Sequence, residues 1–193
     1  MDIFTSIVAG FGLSTPAGLN AWLPLLITGL AARFTDVIKL NAPFTILTET
    51  WVLVALGVLL FIEIFADKIP AVDSINDIIH TFIRPVAGGI LFAAHSGAVG
   101  DLDPTLSFAL GLLSAGSMHA LKATTRPIIT ITTGGIGNPI ISFLEDLVAG
   151  LAAVLALVAP FVAGCMMVSI LGTALFVVFQ WRARRRRHKA AQI

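Results

Sequence analysis

WVLVALGVLLFIEIFA, residues Trp51–Ala66, is the stretch that decides the fold class of this chain. One ionisable group, Glu63, interrupts an otherwise apolar run. A transmembrane helix needs about 20 predominantly apolar residues, and this stretch reads as the core of one. A translocon scale charges about 2.5–3.5 kcal/mol for an acid at a helix centre. Glu63 therefore calls for a partner, a polar cavity or a proton.

The rest of the chain agrees with that solvent. Hydrophobic residues make up 57% of the 193 and charged residues 12%, with a mean hydropathy of +0.96. A soluble domain of this size carries about a quarter charged residues. Too few charges exist to coat a globule in water, which points to an all-α polytopic membrane protein and away from a soluble enzyme. Residues 1–181 read as a single transmembrane domain and 182–193 as a basic cytoplasmic tail.

Outward from Trp51–Ala66, the pattern predicts about six spans. The first is broken: Ile3–Leu13 and a second piece from Ala17 to Arg33 flank Ser14-Thr15-Pro16-Ala17-Gly18 and Asn20, because Pro16 lacks a backbone donor and Gly18 is a poor helix former. The third runs over Ile78–Gly97, the fourth over Leu106–Leu121, the fifth over Ile140–Leu157 and the sixth over Phe161–Trp181. Between the fourth and fifth lies a Thr/Gly-rich loop, Lys122–Pro139, with Asn138 as N-cap and Pro139 as first helical residue.

Charge asymmetry orients these spans. With Arg182, Arg184, Arg185, Arg186, Arg187 and Lys189 inside, Lys68, Arg84, Lys122 and Arg126 fall on the same side, and Asp101 and Asp103 fall outside. This is the positive-inside bias, with both termini cytoplasmic. The N-terminus lacks the basic n-region of a cleaved signal peptide. Two oppositely oriented halves of three spans have the arithmetic of an inverted repeat. Gly12-Leu13-Ser14 with Ala17-Gly18 resembles Gly111-Leu112 with Ser114-Ala115-Gly116; helix packing through small residues accounts for the same pattern.

Polar groups within apolar segments supply the candidate site. Glu63 and Asp67 share a helical face, with an ion pair to Lys68 or Arg84 as the plainer reading. Asp73, Asp77, His80 and Arg84 form one stripe opposite Ile75, Ile78, Ile79, Phe82 and Ile83. That stripe reads as a surface amphipathic helix bending at Pro85, as a gate or proton relay with His80 titrating near neutral pH, or as divalent-metal ligands. Glu145 and Asp146 sit among small residues that suggest an interior position, either neutralising Lys122 or Arg126 or forming a cation or proton site facing Glu63. Arg126, Gly134, Gly135, Gly137 and Asn138 belong to the loop, whose glycine-rich backbone before a helix N-terminus suits an anion; it lacks the Lys-Ser/Thr ending of a phosphate loop. Asn20 and His119 are single polar groups in apolar spans. Cys165 is the only cysteine, so no intrachain disulfide forms.

Glu63-Ile-Phe-Ala-Asp67-Lys68-Ile-Pro70, the Asp73–His80 run with Phe82-Ile-Arg84-Pro85-Val-Ala-Gly88, and Gly137-Asn-Pro139 before Glu145-Asp146 together resemble a family of bacterial membrane proteins, domain of unknown function 4126. The resemblance covers roughly residues 5–180 and implies a small multi-span inner-membrane protein; it carries no activity. A weaker similarity is to cation/proton exchangers with a Glu-x-Gly-Asp-Lys-Thr/Ser signature. Here Glu63 is one residue too far from Asp67, Ala66 replaces the glycine and Ile69 the Thr/Ser.

No Ser/His/Asp, Cys/His or zinc-protease spacing occurs, and no aromatic–basic interleaving suggests nucleic acid. The expected function is a proton-coupled transporter of a small solute or ion, without cofactor, working in the lipid bilayer as a homo-oligomer. Its rival is a non-transporting scaffold or lipid- and partner-binding protein that docks through the basic tail.

Overall fold

Helix is the only regular structure among the described residues of the computed structural model, which covers 3–40, 42–66, 70–99 and 102–190. For residues 3, 5, 6, 70–77, 96–99, 174, 175, 177, 178 and 181–190 the description is of backbone only. The helices are α1 (Ile3–Ser14), α2 (Trp22–Phe34), α3 (Thr50–Ala66), α4 (Pro70–Val99), α5 (Pro104–Thr133), α6 (Gly137–Val158) and α7 (Pro160–Ala190). The all-α expectation holds. Two helical segments, Ile78–His95 and Gly137–Val158, are long and apolar enough to cross a membrane, and shorter apolar helices cover Trp22–Phe34, Thr50–Ala66 and Pro160–Thr173.

The first apolar stretch is broken as expected, but it restarts later. A 3-10 turn occupies Thr15–Gly18, and the helix resumes at Trp22 rather than Ala17. The cause is Asn20, whose Oδ1 accepts hydrogen bonds from the backbone N–H of Trp22 (3.1 Å) and Leu23 (2.9 Å). A side-chain acceptor on the first free N–H groups is what sets a helix start. The whole break, Gly12 to Ala21, is buried.

Three expectations are corrected. The helix bearing His80 and Arg84 does not lie on the surface: α4 runs for 30 residues through Pro85, and both side chains are buried. Lys122–Thr133 is not loop but the second half of α5, which also runs through its proline, Pro127. Its threonines close their hydroxyls onto carbonyls one turn back, as Thr125 does to Lys122 O (2.9 Å) and Thr130 to Arg126 O (3.0 Å); back-bonding makes a Thr-rich segment tolerable as helix. Finally, Asn138 is not the N-cap of α6. The cap is Ile136, and Asn138 sits buried in the first turn, donating from Nδ2 to Thr130 Oγ1 (2.9 Å).

What remains of the loop is a tight turn. Gly134 (φ 62°) and Gly135 (φ 88°) adopt the left-handed conformation after α5, and both their N–H groups donate to Thr130 O. Only glycine enters that region without a Cβ penalty, so the pair terminates the helix.

The bundle carries large apolar side chains on its outside as well as in its core. On α6, Ala149, Ala152, Ala153 and Ala156 are buried, whereas Phe143, Leu147 and Leu151 are exposed. On α4 the polar stripe is the inner one: Arg84 is 0% exposed and His80 3%, while Phe82 is 76% exposed. Small residues also let helix backbones touch. A Cβ on Gly111 would collide with the carbonyl oxygen of Gly88, which joins α4 to α5, and one on Gly164 would collide with Val8 O, which joins α7 to α1. Close approach through small residues is how helices associate where apolar solvent removes the hydrophobic drive.

Candidate functional site

Two charged clusters meet along one face of α5. His119, Lys122 and Arg126 stand at i, i+3 and i+7 on that helix, at most 4% exposed. Such spacing makes one continuous stripe.

The first cluster joins α3, α4 and α5. Glu63 Oε1 accepts from Arg84 Nη2 at 2.9 Å, and His80 Nδ1 approaches the same oxygen at 3.2 Å. Arg84 Nη1 lies 2.9 Å from His119 Nδ1, and His119 Nε2 lies 3.1 Å from Thr81 Oγ1. A guanidinium only donates, so Nδ1 of His119 accepts and its neutral ring carries the proton on Nε2, facing the Thr81 hydroxyl. Glu63, Arg84, His119 and Thr81 thus form a chain of donors and acceptors, with His80 alongside. The Trp22 indole meets the His80 ring edge-on, centroids 6.0 Å apart. Beyond Trp22 an apolar cleft of about 320 Å³ opens between α2 and α4, bounded by Leu25, Phe82, Val86 and Ile90.

The second cluster joins α5, α6 and the break in the first span. Glu145 Oε2 receives Arg126 Nη2 at 2.7 Å and Lys122 Nζ at 3.1 Å. Each cation has a second hold: Lys122 Nζ donates to Leu19 O (3.1 Å) and Arg126 Nη2 to Ser142 Oγ (2.8 Å). Beside them Asn20 Nδ2 donates to Asp146 Oδ1 at 2.9 Å, so the residue that restarts the broken helix also ties it to α6. The Glu145 side chain is 14% exposed, against 1% for Lys122 and 5% for Arg126.

Half of the residues expected in the site, Asn20, Glu63, His80, Arg84, Arg126, Glu145 and Asp146, are thus brought together in the two clusters, while Asn138 bonds Thr130 instead. Glu63 takes the Arg84 pairing, in the interior rather than at an interface. Glu145 pairs with Lys122 and Arg126. Asn20 and Asp146 bind each other. His80 and Arg84 belong to the Glu63 cluster, while Gly134, Gly135 and Gly137 form the turn and touch neither cluster through a described contact. Asp67 lies outside the described residues, as do the side chains of Asp73 and Asp77. No group of three or more His, Cys, Asp or Glu side chains with metal-binding geometry occurs among the described residues. Sequence reasoning named Lys122 as a neutralising partner of the acids, which the structure bears out, but missed His119, Thr81 and Ser142 as members. The 119/122/126 spacing would have revealed His119, had Lys122–Thr133 been read as helix.

Comparison with known proteins places the chain. It belongs to the family described as domain of unknown function (DUF4126), whose profile matches residues 7–180. No curated protein and no solved structure matches it. These comparisons do not show the likeness to cation/proton exchangers.

Proposed function

We propose that this member of the family is a multi-span carrier of the bacterial inner membrane, with both termini cytoplasmic, that moves a small solute or ion coupled to protons. The observation that carries the reading is the Glu63–Arg84–His119–Thr81 chain, with His80 against Glu63, inside a bundle whose outer surface is apolar. Ionisable groups within apolar spans are costly, and proton and ion pathways are where such groups are kept. In this reading Glu63 is the group that alternates between charged and neutral forms, and His80 and His119 pass protons to and from it.

Helix packing supports alternating access by an inverted repeat. Taking α1 and α2 as one span, α4 is the third, α5 the fourth and α7 the sixth. Gly88 of α4 packs against Gly111 of α5, and Ala163-Gly164 of α7 packs against Gly12 of α1; Gly88 and Gly164 each follow a Val-Ala pair. This is the pairing expected of an inverted repeat, in which spans one and four, and three and six, correspond. Carriers built this way place their sites at broken helices, and Asn20 and Leu19 belong to such a break here.

The test is flux in liposomes. Wild type should move a solute at a pH-dependent rate. Glu63→Gln, of similar volume, should keep the fold and lose that dependence. Equal pH profiles for the two proteins remove the relay role.

A further inference from the structure

The carrier reading leaves the class of solute open, and the Glu145 cluster narrows it. We infer that Lys122 and Arg126 form a receptor for a small oxyanion, a carboxylate or a phosphate, with the Glu145 carboxylate occupying it in the unliganded protein and leaving it, protonated, when the anion enters. This rests on the carrier reading for its transport meaning, but not for the binding event.

The geometry argues for an anion over a cation. Glu145 Oε2 is held by a guanidinium nitrogen at 2.7 Å and an ammonium nitrogen at 3.1 Å. A cation seeking Glu145 would sit against two permanent positive charges in surroundings of low dielectric, where like charges repel strongly. An anion meets the same two groups as donors, one of them with the forked geometry that suits a carboxylate or phosphate.

The clamp is also held open independently of Glu145. Lys122 is fixed to the Leu19 carbonyl at the helix break, and Arg126 to the Ser142 hydroxyl. Both cations are more than nine-tenths buried, while Glu145 is the member closest to solvent. The carboxylate is therefore the part that can be exchanged.

Proton coupling follows from charge. Two oxyanions cannot share one pair of buried cations at contact distance without strong repulsion. When the anion arrives, Glu145 takes one proton from solvent and turns away neutral, so one proton and one negative charge enter together and the charge of the site is unchanged. Proton and anion each tighten the other's binding, by the reciprocity of linkage. The other groups facing the site are Asp146, held by Asn20 Nδ2 on α6, and, further along α5, His119 with Arg84 and Glu63.

Titration calorimetry on the purified full chain tests this, with acetate, succinate and inorganic phosphate as probes. Sodium and methylammonium serve as cation probes at constant chloride. At least one anion should bind saturably and take up a proton as it binds, so that its affinity rises as pH falls. Proton uptake is read by repeating the titration in buffers of different ionisation enthalpy. Glu145→Gln, checked for fold by gel filtration, should bind the anion with neither proton uptake nor pH dependence, and Arg126→Gln should weaken binding at least about tenfold. Saturable cation binding, anion binding without proton uptake, or no saturable binding of any of the three anions overturns the inference. Anion binding with proton uptake but no flux in liposomes leaves the receptor standing and removes the carrier. Glu63-dependent flux of a cation, without anion binding, does the reverse.

Discussion

Arg84 Nη2 and Glu63 Oε1 are 2.9 Å apart, in residues 0% and 2% exposed. Breaking a buried pair by deleting one partner costs about 3–5 kcal/mol, because a charge loses its counter-charge without regaining water. Arg84→Met should therefore destabilise the protein by about that amount, whereas Glu63→Gln/Arg84→Met should lose less than the sum of the two single variants. Reversible unfolding in mixed micelles measures both. Additive losses would show that the two side chains do not act as a pair.

Gly18 and Gly57 offer a matched contrast. A Cβ on Gly18 would meet the backbone oxygen of Ala115 and, at 2.6 Å, Met118 Cβ; on Gly57 it would meet nothing within 4 Å. Gly18→Ala should lose about 1–3 kcal/mol by overpacking. Gly57→Ala should gain about 0.5–1 kcal/mol, the usual advantage of Ala in a helix interior. Thermal melting of the two variants checks this, and similar melting temperatures would contradict the close approach of the helix break to α5.

Asn20 has two roles that substitution can separate. Asn20→Ala removes the cap and should lose about 0.5–2 kcal/mol. Asn20→Asp preserves the cap acceptor but sets a carboxylate where Nδ2 now donates to Asp146, 2.9 Å away. Its deficit should exceed that of Asn20→Ala at neutral pH and shrink as pH falls, since a proton on either carboxylate removes the repulsion. An Asn20→Asp protein as stable as wild type would reduce Asn20 to a cap.

Topology is open to direct labelling. In a Cys165→Ala background, Asp103→Cys should react with an impermeant thiol reagent in intact cells and Ala190→Cys should react only after permeabilisation, as the Lys/Arg asymmetry requires. Asp103 is exposed and caps α5 through Thr105 N and Leu106 N, so the reagent reaches it without unfolding. Labelling of position 190 in intact cells would overturn the orientation.

Composition and periodicity made the all-α class, the α3 boundaries and the break near Pro16 legible. Each follows from a local rule: apolar runs of sufficient length form helices, and a proline with a nearby glycine breaks one. Local rules failed where tertiary packing overrode them. Lys122–Pro139, with Pro127 in it, read as loop, yet α5 continues through Pro127 to Thr133, and α4 runs through Pro85, Gly88 against Gly111 closing the contact between the two helices. The stripe of His80 and Arg84 was legible as a stripe, but not which side faced inward.

By itself, then, the sequence determined that this chain must be helical, largely apolar, and in need of partners for a few charges set within apolar helices. Composition alone sets that requirement, because each buried charge must be compensated wherever it lies. Only the tertiary structure decided which charges meet. Glu63 pairs with Arg84, 21 residues on, and Glu145 with Lys122 and Arg126 across the α5–α6 turn, while Asn20 reaches Asp146, 126 residues away. Hydrogen bonds depend on distances of a few tenths of an ångström, and those distances are set by how closely glycine and alanine let the helices approach, a property of the assembled bundle rather than of any one segment.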